Sequence, residues 1–158
     1  MKKIIFISTA IITLIFTSCG VDKTTYNDKI VTAHTALLEI NQNVANNFEN
    51  YLGKLEQKDA FVKFIDESLA KMQESKKTIE DLKPIEDEGM RDKLLEMYDT
   101  YTKTLELYKS KADIITNDAN YDNVVELYND ELEKIQKLDT EIKIMQEQFA
   151  SKNNIQLK

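Results

Sequence analysis

Apolar residues recur at steps of three and four along most of this chain, and the steps fall into four runs. The first is Ile30, Ala33, Leu37, Ile40, Val44, Phe48, Tyr51 and Leu55. It predicts one apolar face on a helix from Tyr26 to Gln57. The second is Phe61, Ile65, Leu69, Met72, Ile79 and Leu82. It predicts a helix from Asp59 to Lys83, with Asp59 as N-cap and Pro84 ending the element by disfavouring helical geometry at Lys83. Ile85 to Gly89 reads as a loop whose acidic residues suit the positive end of the next helix. The third run is Leu94, Tyr98, Tyr101, Leu105, Tyr108, Ala112 and Ile115. It alternates four and three without a break, the seam of a left-handed bundle. After a loop from Asn117 to Asn120, a fourth helix is predicted from Tyr121 to Lys152, on Tyr121, Val125, Tyr128, Leu132, Ile135, Leu138, Ile142, Met145 and Phe149.

Long amphipathic helices joined by short loops place neighbours antiparallel. The expected fold is therefore all-α, an up-down-up-down four-helix bundle over residues 26–153, with 154–158 as a tail. A coiled-coil hairpin with broken arms is the alternative, and stripes broader than strict heptad positions favour the bundle. Three glycines, one proline and no tryptophan in 158 residues agree with long helices, since sheets need turns and turns use Gly and Pro.

The first twenty residues follow different rules. Met1-Lys2-Lys3 is a positive start, and Ile4 to Phe16 is uncharged and almost wholly apolar. That run is too short for a bilayer crossing, which needs ~20 helical residues, and has the length and flanks of a signal-peptide core. Thr17-Ser18-Cys19-Gly20 follows, carrying the only cysteine. Apolar, small, small, cysteine resembles the lipobox of bacterial lipoproteins, with Phe16 where that motif more often has Leu. The resemblance implies cleavage of residues 1–18 and lipidation of Cys19 with fatty acyl chains such as palmitate. Residues 19–25, polar and without periodicity, then read as the lipidated cysteine and its tether. Several acyl chains hold a protein stably where one does not, at ~0.8 kcal/mol per buried CH2. Gly20, rather than the aspartate that retains such proteins in the inner membrane, points to the outer membrane of the cell envelope.

The net charge of −7 becomes more negative once Lys2 and Lys3 leave with the signal. An acidic surface excludes backbone binding to nucleic acid and electrostatic docking on anionic lipid. Membrane contact is then expected through the lipid at Cys19 alone.

Candidate chemistry is sparse. His34 is the only histidine. Di-iron bundles need two Glu-x-x-His pairs and zincins need His-Glu-x-x-His, so both are excluded. His34 lies beside the Ala33–Leu37 stripe and reads as a boundary residue at a helix seam; no spacing marks Met97 or Met145 as its partner in binding haem. Asp118, Asn120 and Asp122 imitate the start of a calcium loop, but Asn123 and Asn129 stand where Gly and Glu are required. Carboxylate pairs such as Glu131/Glu133 and Asp139/Glu141 read as solvated faces. The asparagines Asn41, Asn43, Asn46, Asn47 and Asn50 are poor helix formers within the first helix. No catalytic residue, metal ligand or cofactor is expected, and the chain does not read as an enzyme. The best ligand hint is a tyrosine stripe, Tyr98, Tyr101 and Tyr108 on the third helix with Tyr121 and Tyr128 on the fourth, which packs a core or lines a pocket.

Two fragments carry a second resemblance. Tyr26-Asn27-Asp28-Lys29-Ile30-Val31 and Phe149-Ala150-Ser151-Lys152-Asn153-Asn154-Ile155 are similar to a family of small all-helical surface lipoproteins first named in Leptospira and widespread in Bacteroidota. It implies an all-helical envelope lipoprotein and assigns no activity or functional residue. The expectation is a lipid-anchored module that binds an envelope or external protein or serves a structural role. The alternative is a carrier or sensor of an apolar small molecule held between the helices, lined by the five tyrosines.

Overall fold

The computed structural model describes residues 22–117 and 121–156, with 121–130 and 132 described by backbone alone. Cys19, Gly20, the loop at Asp118–Asn120 and the side chains of Tyr121 and Tyr128 lie outside that description. The described residues are all-α, with no strand among them: α1 (Lys23–Phe48), a 3-10 turn (Leu55–Gln57), α2 (Lys58–Glu80), α3 (Met90–Ser110), α4 (Ala112–Asn117) and α5 (Tyr121–Lys152).

Helix α1 begins at Lys23, before its apolar stripe, so Lys23 to Thr25, expected to lack periodic structure, are helical. The Asp22 carboxylate accepts from the Thr24 and Thr25 amides at 3.1 and 3.3 Å and from the Thr25 hydroxyl at 2.6 Å. That N-cap satisfies amides with no partner inside the helix. The Thr25 hydroxyl, then the two amides, hold the Asp22 carboxyl below its ordinary range.

Helix α1 also stops earlier, at Phe48 rather than Gln57. Asn47 Nδ2 donates to the Asn43 carbonyl at 2.8 Å and Lys54 Nζ to the Asn50 carbonyl at 2.7 Å. Gly53 takes φ +63°, and its amide donates to the carbonyl of Ile115 at 3.1 Å. The left-handed glycine shapes the turn that follows the helix. Tyr51 still packs, its ring 5.3 Å from Phe61 and 5.6 Å from Phe64, whereas Leu55 is exposed.

The turn between α2 and α3 is closed from both sides. Asp59 does not cap α2; Gln57 holds that position without a side-chain bond. Helix α2 ends at Glu80, where Arg91 Nε donates to the Ile79 carbonyl and Nη2 to the Glu80 carbonyl, each at 3.0 Å. A guanidinium there satisfies end carbonyls and suits the negative helix end. Asp87, almost buried, caps α3 by accepting from the amides of Gly89 at 3.0 Å and Arg91 at 2.9 Å. The Tyr26 hydroxyl donates to the same carboxylate at 2.6 Å, locking α1 onto this turn.

Every residue of the third predicted stripe is buried, yet the helix carrying it is broken. At Lys111 the backbone leaves helical geometry, with φ −102° and ψ 12°. The break turns α4 against α2 and the 3-10 turn. Helix α5 has its predicted bounds. Its end is a Schellman turn: Asn154 has φ +54°, its amide donates to Ser151 at 3.3 Å, and the Ile155 amide donates to Ala150 at 2.9 Å. Ile155 folds back on the core, so the expected tail starts later.

Helix α2 packs on α1 and α3, α3 on α5, and α5 also meets α1. None of the described helices is long and apolar enough to cross a membrane.

Candidate functional site

The α1–α5 seam carries buried polar side chains. On α1, Asn27 and His34 stand seven residues apart and share one helical flank. They are 2% and 4% exposed, in a fold whose other seams are mainly apolar. On α5, Asp139, Lys143 and Gln146 repeat that spacing opposite them.

His34 Nε2 lies 2.9 Å from Asp139 Oδ1. The two atoms are each other's nearest polar partners across the seam. Asp139 Oδ2 also accepts from Lys143 Nζ at 2.7 Å. Burial holds the His34 imidazole below its ordinary pKa; Lys143 adds to that, while Asp139 and Gln146 oppose it. At neutral pH His34 is therefore uncharged and Asp139 is shared between a neutral ring and a lysine. Two expectations change: His34 is a buried member of the seam rather than a boundary residue, and Asp139 is only 20% exposed at its side chain rather than on a solvated face. Its sequence partner Glu141 pairs outward with Lys93 at 3.3 Å.

Two further atoms complete the picture. Asn27 Oδ1 and Gln146 Nε2 are buried without a hydrogen-bond partner. Most buried polar groups in proteins are paired, and each orphan needs a reason. Here both orphans lie on residues of the same seam as the His34–Asp139 pair. Above them opens a groove of about 480 Å3, lined by Asn27, Asp28, Val31, Lys143, Gln146 and Glu147 among others. Its size lies in the range of small-molecule sites. A second groove of about 490 Å3 runs between α1 and α2. Its buried hydroxyl is already satisfied, since Ser68 donates to the Phe64 carbonyl at 2.9 Å.

The expected tyrosines sit elsewhere. Tyr98, Tyr101 and Tyr108 are buried. The Tyr98 hydroxyl donates to the Ala33 carbonyl at 2.7 Å and meets the Ser75 hydroxyl at 2.5 Å. Burial raises its pKa. Tyr108 packs on Phe48 with ring centroids 5.1 Å apart. Tyr26, outside the predicted stripes, packs on Phe149 at 6.1 Å while its hydroxyl reaches Asp87. His34 Nε2 faces Asp139 rather than Met97 or Met145. Among the described residues no three His, Cys, Asp or Glu side chains converge as a metal site. The calcium-like loop falls outside the description.

Asn27 and Gln146 were not legible as site residues. Each reads as one polar position beside an apolar stripe, and only their meeting across two helices makes the groove. The chain matches no protein-family model, no curated protein and no solved structure at a significant level.

Proposed function

We propose that the protein is a lipid-anchored, non-catalytic helical module of the bacterial cell envelope, held in the outer membrane through Cys19, which binds a partner molecule in the groove between α1 and α5. The observation that carries the binding role is the set of orphaned polar atoms at Asn27 and Gln146, buried under a groove large enough for a ligand. The anchoring role rests on the lipobox-like Phe16-Thr17-Ser18-Cys19 after an uncharged apolar run.

In this reading the long helices α1, α2, α3 and α5 form an up-down-up-down bundle, with α4 continuing the third arm. Packing between successive long helices supports that topology. Because α1 begins at Lys23, the link from Cys19 to Asp22 spans at most roughly 14 Å when extended. The N-terminal end of α1, and the groove beside Asn27, then lie close to the lipid surface. The apolar-carrier alternative gains nothing from Tyr98, whose hydroxyl is bonded inside the core.

Protease treatment of intact cells, with a Cys19→Ala variant as control, tests the placement. The wild-type protein fractionates with membranes, and digestion in intact cells places the groove on the outer surface. If the alanine variant matures and fractionates like the wild type, the anchored reading is wrong.

A further inference from the structure

We infer that His34, Asp139 and Lys143 form a proton-operated relay that sets the charge of the α1/α5 groove: a proton taken up by His34 turns Asp139 to the imidazolium and releases Lys143 onto the groove. One carboxylate already serves both partners. Asp139 Oδ1 lies 2.9 Å from His34 Nε2 on α1, and Oδ2 accepts from Lys143 Nζ at 2.7 Å within α5. The His34 side chain is 5% exposed and that of Lys143 57%. While the ring is neutral, the lysine has the stronger claim on the carboxylate. A protonated ring competes for the same anion. A buried imidazolium without a counter-charge is costly, whereas an exposed ammonium gives up a surface pair at little cost, because water replaces it. The buried ion therefore keeps the carboxylate and the exposed one leaves.

The other helices around His34 bring no competing charge. From α3 the Tyr98 phenol reaches this level, donating to the Ala33 carbonyl at 2.7 Å, and burial raises its pKa, so it stays neutral. From α2 the Ser75 hydroxyl meets that of Tyr98 and is uncharged. On α5, Gln146 is a neutral amide. Burial lowers the His34 pKa; Asp139 opposes that and Lys143 adds to it, which are the two couplings a relay requires. It therefore operates on the acid side of neutrality. Asp28 of α1 and Glu147 of α5 line the groove with Lys143. While Asp139 holds the ammonium, those carboxylates set the groove's potential. Once released, the ammonium faces them, and the groove region gains one positive charge. Any effect on a ligand rests on the groove being the binding face; the change of charge needs no ligand.

The test is NMR of the whole protein in detergent micelles, following the His34 ring, the Lys143 side chain and the Val31 methyls from about pH 8 down through the His34 midpoint. Lys143 is expected to shift with the same midpoint as His34, and to stay still over that range in His34→Gln. Lys143→Met raises the His34 midpoint and Asp139→Asn lowers it. Val31, exposed on the groove wall, reads the potential. Its broadening by an anionic nitroxide, relative to a cationic one, rises about twofold across the titration, the size expected for one charge at ~8 Å in physiological salt. That rise is absent from His34→Gln. The backbone spectrum reports that each variant is folded. A Lys143 signal indifferent to the His34 titration, a His34 midpoint unmoved by Lys143→Met, or a flat ratio at Val31 overturns the relay. So does a backbone spectrum that collapses before His34 takes its proton. Because the relay is read without a ligand, its failure leaves the groove's role as a binding face untouched.

Discussion

Replacing Tyr26 with Phe removes one hydroxyl and leaves the ring. The ring keeps its packing on Phe149, 6.1 Å away, so no cavity opens. What is lost is the 2.6 Å bond to the buried Asp87 carboxylate. A hydrogen bond to a charged partner is worth about 1.5–3 kcal/mol net. Asp87 keeps the amides of Gly89 and Arg91 as donors, so its charge is not stranded and the loss falls in the lower half of that range, about 2 kcal/mol. For a domain of this size that lowers the melting temperature by roughly 5–10 °C. The bond has a pH signature as well. Burial and Asp87 hold the Tyr26 phenol far above its ordinary pKa of 10.0. Above about pH 10 the unfolded chain releases this proton while the native protein keeps it, so native stability falls as pH rises. The Phe variant lacks that component. Urea unfolding at neutral pH and above pH 10 measures both effects, with an unchanged m-value as the check on the reference state. A neutral-pH loss below about 0.5 kcal/mol, or an alkaline slope equal to that of the wild type, refutes the role given to Tyr26.

Other perturbations separate backbone, core and seam. Gly89→Ala is expected to cost about 1 kcal/mol in urea unfolding through its φ of +88°, because the added Cβ meets only Met145 Cε at an ordinary 3.9 Å. Leu94→Ala, at a fully buried position, costs about 2–5 kcal/mol, whereas Leu55→Ser, 55% exposed, stays within about 0.5 kcal/mol by the same assay. The folded His34 titrates below its ordinary value of 6.5; as pH drops below about 6.5 the unfolded chain takes up this proton first, so stability falls. His34→Gln, which cannot titrate beside Asp139 and Lys143, shows a shallower acid loss in melting curves across that pH range.

The legible parts of the fold were those where one helix carries the whole signal. The steps from Leu94 to Ile115 are all buried because a 3.5-residue period leaves a helix only one face to hide. The break at Lys111 inside that stripe was invisible, since neither Gly nor Pro marks it. The opposite error occurred at the end of α1. Tyr51 keeps the stripe's spacing and stays packed in a turn, so periodicity ran past the helix end at Phe48. Asp22 caps α1 over Lys23, Thr24 and Thr25, all exposed and so without an apolar beat. The groove was the least legible feature. Asn27 and His34 gain meaning only from facing Asp139 and Gln146, and that pairing depends on how α1 and α5 meet.

Intact mass spectrometry of the protein purified from bacterial membranes tests the central claim most directly, because location, tether length and the groove's nearness to lipid all hang on Cys19. The expected mass is that of a chain that begins at Cys19, lacks residues 1–18 and carries a diacylglycerol thioether with an acylated amine. A chain that keeps those residues, or one cut at another position with Cys19 unmodified, contradicts it.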